Sequence, residues 1–249
     1  MNKILKHSKR QNVRFALLLL TFLLFPVAMN YLSPYVIIDA AFRGIISGSF
    51  ILFGILFISS FFVGRLWCGW ACPVAGLQEA CFMVNDRRVK KIDFLKWIIW
   101  ILWLGVIILG VITAGGLSKI DPLHMTESGI SVDEPGKYIT YYMVVGLIFA
   151  LSVFVGRRTF CHSTCWMAPF MILGRKFRNL LNTPALRLTS EPEKCIDCEK
   201  CTRVCSMSLE VNAMVRSGSM ENAECILCGK CIDACPKDVI HYAFKPGQS

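Results

Sequence analysis

Eight cysteines stand near the C-terminus in two runs, Cys195, Cys198, Cys201 and Cys205, then Cys225, Cys228, Cys231 and Cys235, the last followed by Pro236. A Cys-x-x-Cys-x-x-Cys loop presents three thiolates to three corners of one iron–sulfur cube, and the fourth ligand arrives from a separate turn. In a double run the fourth cysteine of each set crosses to the other cube. The spacing therefore assigns Cys195, Cys198, Cys201 and Cys235 to one [4Fe-4S] cluster, and Cys205, Cys225, Cys228 and Cys231 to a second. A zinc site needs four ligands, not two interlocked sets of four. A disulfide framework needs an oxidising compartment. Ser206 stands where the first run would carry its proline, which changes the turn after Cys205 without removing a ligand.

Four further cysteines recur as pairs 93 positions apart, in Gly64-Arg65-Leu66-Trp67-Cys68-Gly69-Trp70-Ala71-Cys72-Pro73 and Gly156-Arg157-Arg158-Thr159-Phe160-Cys161-His162-Ser163-Thr164-Cys165-Trp166. If the repeated segments pack about a pseudo-twofold axis, Cys68, Cys72, Cys161 and Cys165 face one another. They then hold a third metal centre or act as redox-active thiols. The plainer reading is packing, because free cysteine behaves as a small apolar residue. Cys81 stands alone and reads as structural.

These sites need a scaffold, and the chain supplies an apolar one. Of its 249 residues 55% are hydrophobic and 18% charged, the balance of a membrane protein. Four stretches free of Asp, Glu, Lys, Arg and His reach spanning length: Phe15 to Leu32, Ile45 to Val63, Trp97 to Leu117 and Tyr138 to Val155. Basic residues number five in 1–14, six in 65–96 and six in 157–190, against only Arg43, Lys119 and Lys137 in the two other connections. Lys and Arg stay on the cytoplasmic side of short loops, so both termini are expected inside, as are all thirteen cysteines. The net charge of +10 is then topological. The inner loops meet anionic headgroups, and a nucleic-acid face is not expected.

Several functions are excluded. None of the four histidines lies in a proposed span, so a bis-histidine haem has no ligands there. The spans lack the ionisable side chains of a proton path, and no dinucleotide or phosphate-binding glycine loop is present. Trp97, Trp100 and Trp103 recur every three residues and read as interfacial anchors rather than a quinone pocket. Gly44-x-x-x-Gly48 is a weak signal for close helix contact. His124 reads as a solvated loop residue. His162 is the better candidate for metal or proton chemistry, beside a simple hydrogen bond to a carbonyl.

The Cys68-Gly69-Trp70-Ala71-Cys72-Pro73 exit, the matching Cys161 to Cys165 exit and the two C-terminal runs resemble the four-helix membrane ferredoxins of the NapH/MauN type, related to the membrane halves of NosR-like and FixG/CcoG-like proteins. The second exit departs from the pattern, with Trp166 after Cys165 and Pro169 only later. The resemblance implies electron transfer between the quinone pool, or another membrane donor, and a redox protein partner. Some relatives serve nitrous-oxide or nitrate respiration, or handle copper.

The expected protein is thus an α-helical membrane protein of four transmembrane helices in two tandem hairpins (residues 1–181), a linker (182–192) and an α+β bacterial-type dicluster ferredoxin domain (193–249). It sits in the cytoplasmic membrane as an electron-carrying subunit of an oxidoreductase system. The alternatives are a metal-handling or maturation factor, with cupric reduction at the paired cysteines, and a redox-sensing regulator.

Overall fold

The computed structural model describes residues 8–89 and 92–247. Lys3, Lys6, His7, Lys90 and Lys91, which entered the charge and histidine arguments, lie outside the described residues.

The chain opens with α1 (Lys9–Leu23), the single turn α2 (Phe25–Ala28) and α3 (Pro34–Phe42). A three-residue strand, β1 (Ile45–Ser47), leads into α4 (Gly48–Val63), α5 (Leu66–Trp70) and α6 (Pro73–Ala80). After α7 (Phe94–Thr113) and β2 (Lys119–Asp121), the pattern returns as α8 (Lys137–Phe154), α9 (Thr159–Ser163) and α10 (Met167–Leu180). In each copy a long apolar helix stops at a glycine with positive φ, Gly64 at 56° and Gly156 at 135°. Pro73 starts α6 at a position where its missing N–H costs nothing. The second copy has Trp166 there instead. Its indole donates to Leu32 O at 3.0 Å and packs edge-on against Phe160, so side-chain packing fixes the start of α10.

Two helices, α7 with 20 residues and α8 with 18, are long and apolar enough to cross a bilayer. The other two expected spans differ from the sequence reading. Pro26 has no N–H to continue the ladder of α1, so the first stretch breaks after Leu23 and resumes as α2 and a 3₁₀ turn. In the second, Ile45, Ile46 and Ser47 pair in parallel with Lys119, Ile120 and Asp121, which leaves α4 with 16 helical residues. The Gly44 and Gly48 pair serves this junction, not a helix crossing: a Cβ on Gly48 would lie 2.3 Å from Pro122 O. Large apolar side chains nonetheless face outward on all four segments, among them Leu23, Ile58, Ile112 and Phe154.

The C-terminal module is a two-stranded antiparallel sheet, β3 (Ala185–Ser190) against β4 (Ile240–Lys245), with Ala185 opposite Lys245 and Ser190 opposite Ile240. Between the strands lie α11 (Lys200–Arg203), α12 (Val211–Arg216) and α13 (Lys230–Asp233). The segment 182–192, expected as a linker, therefore contains the first strand. Ala185 and Leu188 are buried, and strand pairing with β4 satisfies backbone groups that a free linker would leave to water.

Buried charge joins the two halves. Glu79 on α6 is 5% exposed and is met by Arg14 from α1, Arg158 from the second exit and Lys230 from α13. Glu224 receives Arg65 at 2.7 Å and Lys96 at 2.6 Å. Glu221 receives Arg175 at 2.6 Å and Arg187 at 3.2 Å. Asp86 holds Arg157. Eight of the basic residues that read as headgroup contacts are consumed inside the protein: Arg14, Arg65, Lys96, Arg157, Arg158, Arg175, Arg178 and Arg187 are all buried. A desolvated charge is tolerated only when it is paired and hydrogen-bonded.

Removing one partner of such a pair strands the others. Glu79→Gln should lower stability by about 3–5 kcal/mol in denaturant titration of the detergent-solubilised protein. Glu191→Gln, which breaks the exposed pair with Lys194, should leave the midpoint unmoved.

Candidate iron–sulfur and thiol sites

Each C-terminal cysteine recurs thirty positions on, and the backbone repeats with it. Asp197 and Leu227 have φ of 52°, Glu199 and Gly229 have 53° and 74°, and Ser208 and Asp238 have 53° and 48°. Left-handed backbone is unfavourable for residues with a Cβ. Its repetition at matched positions curls each loop so that its sulfurs converge. Cys195, Cys198 and Cys201 share one small pocket with Cys235, and Cys225, Cys228 and Cys231 share another with Cys205. All eight thiols are free of disulfides. Two sets of four soft sulfur donors, each lining its own pocket, fit thiolate-held iron–sulfur clusters.

The pockets differ in surroundings. Cys225, Cys228 and Cys231 lie among Met207, Leu209, Met220 and Ile226, and burial pushes the Cys205 thiol up to about 12. The first pocket borders exposed Ile196, Glu199 and Lys237. Asn212 Oδ1 lies 3.6 Å from Cys195 Sγ.

Cys68, Cys72, Cys161 and Cys165 line one end of a largely apolar cavity of ≈ 340 Å³. Its other end reaches Met125, Ser131 and Lys137 beyond the long helices. All four cysteines are buried. Gln78, fully buried, holds the second pair: its amide donates to Cys161 Sγ at 3.2 Å and its carbonyl accepts from Phe160 N at 3.1 Å. Cys68 Sγ lies 3.6 Å from Met171 Sδ. Burial, and then the neighbouring thiols Cys161 and Cys68, push Cys165 up to about 12. Burial likewise drives Cys72 well above the ordinary thiol range. These groups are protonated unless a metal takes the proton's place. Cys81 is buried in the 3₁₀ turn after α6 and does not line the cavity.

The cavity and the second pocket meet through backbone. A Cβ on Gly69 would stand 2.3 Å from Ile226 O and 3.5 Å from Cys228 N, so only glycine lets α5 lie against the Cys225–Cys228 loop. Trp70 Nε1 donates to Leu227 O at 3.1 Å. On the cavity side, Arg158 Nη1 donates to Cys68 O at 2.6 Å and Arg14 Nη1 to Gly69 O at 3.0 Å.

Histidine roles changed with the fold. His162 is buried, with Nδ1 2.8 Å from Asp93 Oδ1. Asp93, Glu224 and His162 converge, but Lys96 Nζ already stands 3.2 Å from Asp93 and 2.6 Å from Glu224 as their cation. His124 is not solvated: its Nε2 lies 2.8 Å from Asp39 Oδ2. Trp103 donates to Pro34 O at 3.1 Å and packs with Phe53 and Phe170, and Trp100 also meets Phe170. Trp103 is core, and Trp97 and Trp100 pack partly buried against it. Sequence reasoning missed Gln78, Glu79 and the arginines that reach carbonyls. The available signal was the Gln-Glu pair in an otherwise apolar stretch after Pro73.

Comparison with known proteins fits this duplicated plan. A family model described as a 4Fe-4S binding domain matches twice, over residues 47–92 and 139–184, and one described as a 4Fe-4S dicluster domain matches residues 171–247. The chain is 28% identical over 207 residues to the methylamine utilization ferredoxin-type protein MauN of Paracoccus denitrificans, covering 80% of this chain and 68% of that one. It is 24% identical to the uncharacterized protein MJ0750 of Methanocaldococcus jannaschii over 77% of this chain and 78% of that one. It is 26% identical to the nitrogen fixation protein FixG of Rhizobium meliloti over 74% of this chain and 39% of that one. No solved structure matches.

The carboxylates at the docking face give a pH signature. Against the penalty of burial, His162 and Lys96 hold Asp93 at about 2, and Arg175 holds Glu221 at about 2. A carboxylate depressed in the folded state stabilises it fully above its unfolded pKa and loses that contribution as pH falls toward the folded value. Hydrogen-exchange protection factors at β3, corrected for the intrinsic pH dependence of amide exchange, should stay high above about pH 5 and fall from about pH 4.5 down to 2.

Proposed function

The chain belongs to the MauN- and FixG-type 4Fe-4S ferredoxin-like proteins, and on that premise we propose that it is a membrane-bound electron carrier. Its two C-terminal cysteine sets each hold a [4Fe-4S] cluster, Cys195, Cys198, Cys201 and Cys235 at one and Cys205, Cys225, Cys228 and Cys231 at the other. Such clusters exchange single electrons without moving protons or bonds to substrate. The observation that carries the reading is the convergence of eight free thiols on two pockets, each fed by both loops.

The outward apolar faces of α1, α4, α7 and α8 support a four-segment membrane anchor. Surface of that kind is stable only against lipid or a partner. The break at Pro26 and the short α4 are accommodated because α2, α3 and the β1–β2 ladder satisfy backbone groups within the protein. Both termini and the ferredoxin module lie on the cytoplasmic side of the inner membrane.

At the inner face, Cys68, Cys72, Cys161 and Cys165 would hold a further metal centre, which would pass electrons between the apolar half and a quinol-type or other membrane donor. The chain's own contribution is positional. Gly69 brings α5 against the Ile226–Cys228 backbone, Trp70 pins Leu227, and the apolar wall keeps water from the thiols. A redox protein takes up or supplies electrons at the exposed first pocket. One observation favours a second use of the same thiols: four buried sulfurs line one cavity, with Met171 beside Cys68, and soft sulfur donors suit the copper that a copper-handling factor would bind.

Anaerobically purified protein should carry about eight irons and as much acid-labile sulfide per chain. It should also stay in the membrane fraction after alkaline wash. Iron-free protein would sink the reading. Cys68→Ser separates the two uses: loss of quinol-driven reduction of the clusters supports the carrier, whereas intact quinol-driven reduction with loss of copper binding supports the metal-handling role.

A further inference from the structure

The two thiol pockets are copies in sequence, yet their electrostatic settings are unlike. Eight buried cations crowd the face where the second pocket docks, and the carboxylates that meet them are five: Glu79, Asp86, Asp93, Glu221 and Glu224. The excess shows at Arg178, which burial and the neighbouring Arg175 and Arg187 push down to about 10. Several of these groups also aim hydrogen bonds at the cysteine loops. Arg175 Nη1 donates to Cys225 O at 2.9 Å, and Arg157 Nη1 donates to Cys205 O at 3.1 Å and Arg203 O at 2.6 Å. Arg65 Nη1 donates to Ala223 O at 3.3 Å. The first pocket has one counterpart, Arg203 to Cys198 O at 2.7 Å, and Arg203 is exposed, where water and salt screen its charge.

We infer that this buried cation layer, with Arg175 foremost, raises the reduction potential at Cys205, Cys225, Cys228 and Cys231 while leaving the set at Cys195, Cys198, Cys201 and Cys235 untouched. The inference rests on the cluster assignment proposed above. Taking up an electron makes a thiolate-held cluster more negative. Fixed positive charge a few ångströms away, out of solvent, favours that state, and hydrogen bonding and net charge are the levers by which protein sets such potentials. Arg175 is a positioning residue: it touches the Cys225 carbonyl and the Glu221 carboxylate, not the sulfurs.

The test is a redox titration of the full-length, anaerobically purified protein followed by electron paramagnetic resonance, with the second-pocket signal identified as the one lost in Cys228→Ser. In Arg175→Gln, the reduced-to-oxidised ratio of that signal at fixed potential should fall about tenfold, equivalent to about 59 mV for a one-electron couple. Arg175→Lys should restore most of it, and the first-pocket signal should not move in either variant. The inference is overturned if both signals shift together, if neither shifts, or if Lys behaves as Gln. Should Arg175→Gln lose iron, Arg157→Gln decides on the same criteria, since Arg157 belongs to the same layer and donates to Cys205 O at 3.1 Å. Native protein that shows two cluster signals while Arg175→Gln leaves both in place refutes only this inference. Native protein without clusters refutes the proposed function instead.

Discussion

Charged side chains buried between the apolar half and the C-terminal module hold the two together. An isolated guanidinium or carboxylate out of water is unstable by many kcal/mol, so Glu79 fixes Arg14, Arg158 and Lys230 together or not at all. Those three residues come from the first helix, the second cysteine exit and the loop of the second pocket. One carboxylate thereby ties both copies of the apolar repeat to the C-terminal module. Glu221, Glu224 and Asp86 repeat the device around the same face. The result is rigid apposition: α5, bearing Cys68, lies against the Cys225–Cys228 loop with no room for a side chain at Gly69.

This layer also explains why part of the fold was legible in the sequence and part was not. The cysteine spacings, the 93-residue recurrence and the long apolar runs of α7 and α8 are local patterns, and local patterns survive without tertiary knowledge. Charge is different. Arg65, Arg157, Arg158 and Arg175 sit in connections whose basic character reads as an inner membrane face, and composition alone cannot distinguish a solvated arginine from one that caps a carbonyl inside an interface. The same blindness hid Gln78 and Glu79, polar residues in a short helix whose burial depends on α1 and α9 closing over it. It also made β3 look like a linker, because Ala185 to Ser190 becomes a strand only when β4 arrives from about fifty residues away.

Duplication runs through both halves. The apolar repeat supplies two thiol pairs to one cavity, and the C-terminal repeat supplies two loops that exchange their fourth cysteines. In each case a symmetric sequence is used asymmetrically. Pro73 and Trp166 start equivalent helices by different means. The two pockets share their backbone curl but not their neighbours, since one is packed against buried cations and the other faces solvent.

Iron in both thiol pockets, with the second against the α5 backbone, can be seen in an anomalous difference map at the iron edge from crystals grown anaerobically. Two strong iron peaks are expected, one enclosed by Cys195, Cys198, Cys201 and Cys235 and one enclosed by Cys205, Cys225, Cys228 and Cys231, the latter facing the Gly69 backbone. Peaks at the zinc edge in their place, or a second pocket turned away from Gly69, would rule this arrangement out.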